Sequence, residues 1–143
     1  RLPRPIIHDD TLNFSFSGLK TAVFRELIKH KRSGQLTDEV IGEFSREIQE
    51  AITDVLVAKT MRAAQQYSAR SILISGGVAA NSRLREKFHS ALQRSSNLTI
   101  VMPPVSLCTD NAVMIGAYAR IKGKPIPWQD LTVEPSLSVE KHI

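Results

Sequence analysis

The sequence predicts an α/β fold in which helices cover a parallel or mixed β-sheet. Two short apolar runs that are typical of strands occupy residues 71–75 and 98–101, and glycines or prolines follow each of them. The longer segments around these runs repeat their apolar residues every three to four positions, which is the period of a helix. Because strand-like and helix-like segments alternate, we expect a layered α/β domain.

Before the first of these runs, the pattern predicts three elements. Residues 13–17 alternate apolar and small polar side chains, which predicts a short, half-buried strand ending at Gly18. Residues 19–32 have helical spacing, and a break at Ser33-Gly34 follows them. Residues 37–67 keep the same period, which predicts one long helix or two consecutive ones.

After the first run, a helix is expected to reach about residue 94, and the second strand is expected to end before Pro103. Residues 112–121 are apolar on nearly all sides, so we expect a buried helix there. The tail, residues 123–143, contains three prolines and Trp128, and we expect it to pack on the surface.

Composition excludes several classes of protein. The 143 residues are 42% apolar and 23% charged, as in an ordinary globular domain, and no apolar run approaches the roughly 18 residues of a membrane span. The single cysteine, Cys108, excludes an internal disulfide framework, and no Cys/His cluster has zinc-finger spacing. We therefore expect a cytoplasmic protein that is not bound to a membrane, with a mitochondrial location left open.

The positive charge lies early in the chain. The net charge is +5, and residues 1–36 carry seven basic residues against three acidic ones. Such a patch attracts polyanions such as RNA. The run Lys29-His30-Lys31-Arg32 equally suits the carboxyl end of a helix, where cations complement the helix dipole.

The turn after the first predicted strand suits an anion. Residues 71–85 give a strand, the pair Gly76-Gly77 and the beginning of a helix. Glycines let backbone approach a ligand closely, and the following helix amino terminus favours a phosphate. The alternative is a turn that needs small residues only for packing, because neither a Walker A nor a Gly-x-Gly-x-x-Gly pattern is present.

Asp110 has two interpretations. It precedes the apolar helix, so its carboxylate can cap the first turn of that helix. A carboxylate beside a phosphate-binding turn in an α/β fold is also a suitable ligand for a divalent metal.

Three separated motifs, at residues 13–21, 75–85 and 103–115, form one pattern: NFSFSGLKT, SGGVAANSRLR and PPVSLCTDNAVMI. In this order they closely resemble the carboxy-terminal half of the TsaD family, the tRNA N6-adenosine threonylcarbamoyltransferases, once labelled glycoproteases. The resemblance covers residues 1 to about 122. It implies the second lobe of an actin-like, Hsp70-like nucleotide-binding fold, with a helical insertion, over residues 1–122. The first lobe is expected to be absent from this chain.

The family transfers a threonylcarbamoyl group from its adenylate to N6 of the adenosine that follows the anticodon of tRNA. The resemblance therefore implies as ligands ATP or threonylcarbamoyl-adenylate. It implies as partners tRNA and the other proteins of the threonylcarbamoyl-transfer complex.

The resemblance also assigns site residues. Gly76 and Gly77 match the phosphate-side turn, Asn81 matches a residue that contacts the nucleotide-like substrate, and Asp110 matches a ligand of one iron or zinc ion. The family takes two further ligands from a His-x-x-x-His motif, and no pair among the four histidines of this chain has that spacing. We expect an incomplete metal site and a chain that is inactive alone. No residue is assigned as general base.

Two alternatives to this enzyme remain open. One is the nucleotide-binding lobe of another actin-like ATPase or of a sugar kinase, although those families do not share the Cys-Thr-Asp-Asn motif in this form. The other is a non-catalytic module that binds RNA or assembles with a partner through the basic first segment. A metalloprotease is disfavoured, because His-Glu-x-x-His is absent from the sequence.

Overall fold

A computed structural model describes residues 1–93, 97–109 and 112–133 of the chain. The helices are α1 (Ser17–Arg32), α2 (Asp38–Gln66), α3 (Ser82–Leu92) and α4 (Ala112–Lys122), the strands are β1 (Ser71–Leu73) and β2 (Thr99–Val101), and single 3₁₀ turns occupy Gly77–Ala80, Val105–Leu107 and Trp128–Asp130. The chain divides into two compact units, Arg1–Thr109 and Asp110–Ile143.

The α/β class is confirmed in the first unit. β1 and β2 pair in parallel, with Ser71 opposite Thr99 and Leu73 opposite Val101. Parallel neighbours need a crossover connection, and α3 provides it between the two strands. Both strands are shorter than the apolar runs that predicted them, and the glycine turn includes one 3₁₀ turn before α3 begins.

The longest element is α2, a single continuous helix of 29 residues. It begins after Thr37, whose hydroxyl accepts a hydrogen bond from the Val40 N–H at 3.3 Å. At 1.5 Å per residue it is about 44 Å long. Leu2 and Leu19 form a buried cluster with Ala51 of α2, and α3 also packs against α2.

Residues 1–11, the N-terminal strap, are fastened to α2 by three cations. Arg4 bonds two carboxylates of α2, and Arg62 donates to the carbonyls of Ile7, at 2.8 Å, and Asp9. Lys59 is only 1% exposed, and its ammonium donates to Asp9 Oδ1 at 2.5 Å and to a strap carbonyl at 2.8 Å. The buried ammonium of Lys59 therefore has two acceptors, as a charge removed from water requires.

The strand predicted over residues 13–17 is wrong. Residues 12–16 form no strand, and α1 begins at Ser17, one residue before Gly18. The rings of Phe14 and Phe16 stack on each other with centroids 6.1 Å apart, and both remain exposed. Alternating side chains describe a possible strand face, but a strand also needs a partner backbone, and none of the described residues pairs with this segment.

The helix predicted near residues 112–121 is present as α4, but its predicted burial is wrong. Every residue of α4 is exposed. A helix that is apolar on all sides needs partners on several sides, and the described part of the chain leaves this surface uncovered. Trp128 is 76% exposed, and the packing of the tail on the surface stays a prediction. None of the described helices is long and apolar enough to cross a bilayer.

Candidate functional site

The carboxyl ends of β1 and β2 lie at the same edge of the sheet, which is where open α/β sheets bind ligands. β1 leads into the Gly76-Gly77 turn, and β2 leads into residues 102–109. The Ile74 N–H donates to the Val101 carbonyl at 3.0 Å, so the two strands stay paired up to this edge. The structure thus brings the second sequence motif beside the beginning of the third.

The glycine turn presents open space and free backbone donors. Gly76 has φ 86° and ψ 174°, a conformation that is essentially restricted to glycine. No atom lies within 4 Å of the position that a Cβ would occupy at Gly76 or Gly77. Within the described ranges, the N–H groups of Gly77 and Val78 donate to no acceptor. Backbone donors without a protein acceptor, beside open space, are what an anion site requires.

Asn81 closes the turn and begins α3. Its Oδ1 accepts from the Leu84 N–H at 2.9 Å, and its Nδ2 donates to Gln49 Oε1 of α2 at 3.3 Å. The side chain is therefore the cap of α3, a structural role that the sequence prediction did not assign to it. A primary amide has two N–H groups and two lone pairs, so one of each remains available to a ligand.

Arg85 joins the two motif segments. Its Nε donates to the Ala79 carbonyl at 2.6 Å, and one terminal nitrogen donates to the Pro103 carbonyl at 2.5 Å and to Cys108 Sγ at 3.4 Å. The guanidinium thereby holds the segment after β2 against the turn after β1. Sequence reasoning gave Arg85 no role, although its position four residues after Asn81 places both on one face of α3.

A cluster of ion pairs fixes α3 on α2. Glu50 accepts from Arg83, at 2.5 Å, and from Lys87, at 2.8 Å, and these hydrogen bonds lower the pKa of Glu50 to about 2. Burial opposes ionisation of Asp54, but hydrogen bonds from Lys87 and Arg4 outweigh it and lower the pKa of that carboxyl. These ion pairs therefore hold α3, which carries Arg85 and is capped by Asn81, against α2.

Beside the turn lies a cleft of about 340 Å³ with a mainly apolar lining. Its lining includes Ile74, which follows β1, Val78 of the turn, and Leu84 and Phe88 of α3. This volume falls at the lower end of the range for small-molecule sites. Apolar walls next to free backbone N–H groups suit a ligand that combines a ring with a phosphate.

A family model described as "TsaD: tRNA N6-adenosine threonylcarbamoyltransferase" matches residues 1–117. The chain belongs to the TsaD family. Curated relatives carry the same description. The relative from Halalkalibacterium halodurans is 43% identical to this chain, over 98% of this chain and 40% of the relative. In Persephonella marina the identity is 46%, over 85% of this chain and 35% of the relative. The relative from Bacillus subtilis is 44% identical, over 84% of this chain and 34% of the relative. The chain thus spans about two-fifths or less of the length of these relatives.

The match confirms the resemblance found from the three motifs. It extends over nearly the same residues, 1–117 against an expected 1–122. The family identified is TsaD, not the sugar kinases or Hsp70-type ATPases that the sequence left open.

Two parts of the TsaD pattern are not brought into this site by the residues described. The first motif forms the segment before α1 and its first turn, where Gly18 is packed so closely that a Cβ would lie 3.2 Å from Pro5 Cγ. Asp110 lies outside the described residues. In residues 1–93, 97–109 and 112–133, no three His, Cys, Asp or Glu side chains come together as a metal site would need. These residues alone therefore do not fit a metal centre.

Proposed function

We propose that this chain contributes one side of a site that transfers a threonylcarbamoyl group from its adenylate to N6 of a tRNA adenosine. One observation carries the proposal. Two of the three motif segments that the chain shares with the TsaD pattern meet at one sheet edge, and the N–H groups of Gly77 and Val78 in the open turn have no acceptor among the described residues.

Each residue of the site has its own role in binding the adenylate. The free N–H groups after Gly76 receive the phosphate, because backbone donors and helix amino termini stabilise negative charge. The remaining N–H and lone pair of Asn81 orient the adenosine. Arg85 keeps the segment after β2 in place, so both walls of the site keep their spacing.

The reaction itself is an acyl transfer. The N6 nitrogen of the tRNA adenosine forms a bond to the carbamoyl carbon, and the bond from that carbon to the phosphate oxygen breaks. AMP leaves with that electron pair, and N6 loses one proton. The turn supports departure of AMP, because donors aimed at the phosphate stabilise the charge that develops on it.

The chain is further proposed to be the second lobe of an actin-like fold over residues 1–122, working with a first lobe and with the other proteins of the transfer complex in the cytoplasm. Asp110 is proposed as one ligand of an iron or zinc ion. The other ligands must come from outside the described residues, and no step above depends on the metal.

Calorimetric titration tests the proposal. A stable threonylcarbamoyl-adenylate mimic is added to this chain, to the part of the H. halodurans relative that the chain does not match, and to both together. We expect binding only to the mixture. Asn81→Ser, which keeps a capping oxygen but loses the amide, is expected to weaken binding about tenfold, the equivalent of one hydrogen bond.

The matched control is Asn97→Ser, which changes an exposed asparagine before the amino end of β2, at the other edge of the sheet. It is expected to bind like the unmodified chain. Tight binding of ATP to the chain alone, unchanged in Asn81→Ser and in Asp110→Ala, contradicts the proposal and indicates a self-contained nucleotide-binding domain.

A further inference from the structure

Two sets of basic residues in the first unit differ in their partners. Six residues on the strap, α2 and α3 bond carboxylates or carbonyls within the chain: Arg4, Lys59, Arg62, Arg83, Arg85 and Lys87. Those on α1 do not. Within the part of the chain that the structure describes, Lys20, Arg25, Lys29, Lys31 and Arg32 form no ion pair. None of these five cations is therefore held in place by a carboxylate of the described residues.

Three of these side chains share one face of α1. Arg25, Lys29 and Arg32 are spaced four and three residues apart, which places them in line over about 10 Å. We call them the α1 basic stripe. All three are exposed, and they line one shallow concavity together with Ile28 and Ser33. The acidic residue of α1, Glu26, lines a second cleft, which Arg25 also lines and which Lys29 and Arg32 do not.

Stabilisation of α1 itself does not account for the whole stripe. Lys29 and Arg32 lie in the last turn of α1, where cations complement the dipole. Arg25 lies seven residues before the end, and the influence of the dipole is confined to the last turn. Phe24, which precedes Arg25, is 64% exposed. Exposed cations beside an exposed aromatic ring are typical of surfaces that bind RNA.

We propose that the α1 basic stripe is a docking surface for the phosphate backbone of RNA. The inference rests on the proposed function, in which tRNA is the acceptor, and it adds a binding surface outside the sheet edge where transfer occurs. An RNA backbone is favoured over an acidic protein because the relatives are named for a reaction on tRNA. The contact is with phosphates, so it positions tRNA without reading its sequence.

Binding of a fluorescein-labelled tRNA transcript, followed by anisotropy at 50–200 mM salt, tests the inference. The stripe variant is Arg25→Gln/Lys29→Gln/Arg32→Gln in the 143-residue chain. The matched control is Arg120→Gln/Lys122→Gln/Lys124→Gln, which removes the same charge from three exposed residues of the second unit. Circular dichroism checks that both variants keep the helix content of the unmodified chain.

The expected result is a smaller salt dependence in the stripe variant alone. A slope of about 0.9 per phosphate contact gives about 2.7 for three contacts, so the unmodified chain loses about 40-fold more affinity than the stripe variant over this range. The control keeps the unmodified slope. An equal loss in both variants overturns the proposal, since it shows attraction by net charge only. Competition by polyglutamate as effective as that by unlabelled tRNA also overturns it.

The outcome is separable from that of the proposed function. If the stripe variant binds tRNA normally while the two-part mixture still binds the adenylate mimic, the docking surface is refuted and the transfer site stands. If the mixture does not bind the mimic while the stripe effect on tRNA persists, the reverse holds.

Discussion

Replacement of Arg85 by alanine removes the connection between the turn after β1 and the segment after β2. The guanidinium is half-buried and donates to two backbone carbonyls, at 2.6 and 2.5 Å, and to Cys108 Sγ. No other described side chain bonds to both segments. The substitution therefore leaves two carbonyls without a protein donor, and Cys108, which is 2% exposed, loses its cover on one side.

The magnitude follows from these contacts. A hydrogen bond from a charged donor contributes about 1.5–3 kcal/mol, so two of them set an upper limit of about 6 kcal/mol. Water can reach a half-buried site and replaces part of each bond, which lowers the expected loss for Arg85→Ala to about 2–4 kcal/mol. Arg85→Lys retains the charge but cannot reach both carbonyls at once, so it is expected to lose about half as much.

Urea denaturation measures the loss in the free energy of unfolding. The rate at which iodoacetamide alkylates Cys108 without urea measures how often the segment after β2 separates from the turn after β1. Arg85→Ala is expected to lower the urea midpoint and to raise the rate at which Cys108 is alkylated. Arg83→Ala is the matched control, since Arg83 is a guanidinium on the same helix that bonds Glu50 and Glu86 and does not contact the segment after β2. Equal alkylation rates in the two variants, with an unchanged urea midpoint for Arg85→Ala, would refute the role given to Arg85.

Three further predictions concern stability in urea. Gly76→Ala forces a side chain to φ 86° and is expected to cost about 1–3 kcal/mol, whereas Gly77→Ala, which meets no atom within 4 Å, serves as its control. Glu50 has a folded pKa of about 2, below its ordinary 4.5, so its contribution is present above pH 4.5 and is lost as the pH falls towards 2. Glu50→Gln should flatten the dependence of the urea midpoint on pH in this window, and an unchanged profile would count against the ion pairs. Asp9→Asn is expected to lower the midpoint more than Lys59→Met, because it leaves a buried ammonium without its carboxylate, and the opposite order would contradict this argument.

Helices were the most predictable part of this fold. The bounds of α1 and the end of α3 agree with the predicted ones within about two residues, since their apolar spacing and breaks depend on neighbouring residues alone. The strand predicted at residues 13–17 failed because pairing depends on a distant partner. The predicted burial of α4 failed for a related reason, since composition indicates a need for burial without showing what supplies it.

The candidate site was predictable in its backbone and not in its side-chain contacts. The glycine pair indicated the turn, because positive φ is a local property. The cap formed by Asn81 was available from its position before α3, yet its bond to Gln49 joins residues 32 positions apart. The three contacts of Arg85 likewise depend on how β1 and β2 align, which no local pattern contains.

The N-terminal strap is expected to control local unfolding of α1. The bonds from Arg62 to Ile7 and Asp9 join residues 55 and 53 positions apart, and α1 lies within the stretch of chain that they close. Release of the strap would expose the Lys59 ammonium and the Leu2 contact together, so we expect the strap and α1 to unfold as one cooperative unit. Amide hydrogens of α1 near Leu19 should therefore exchange with solvent at the rate of strap release and not by fraying from the end of the helix.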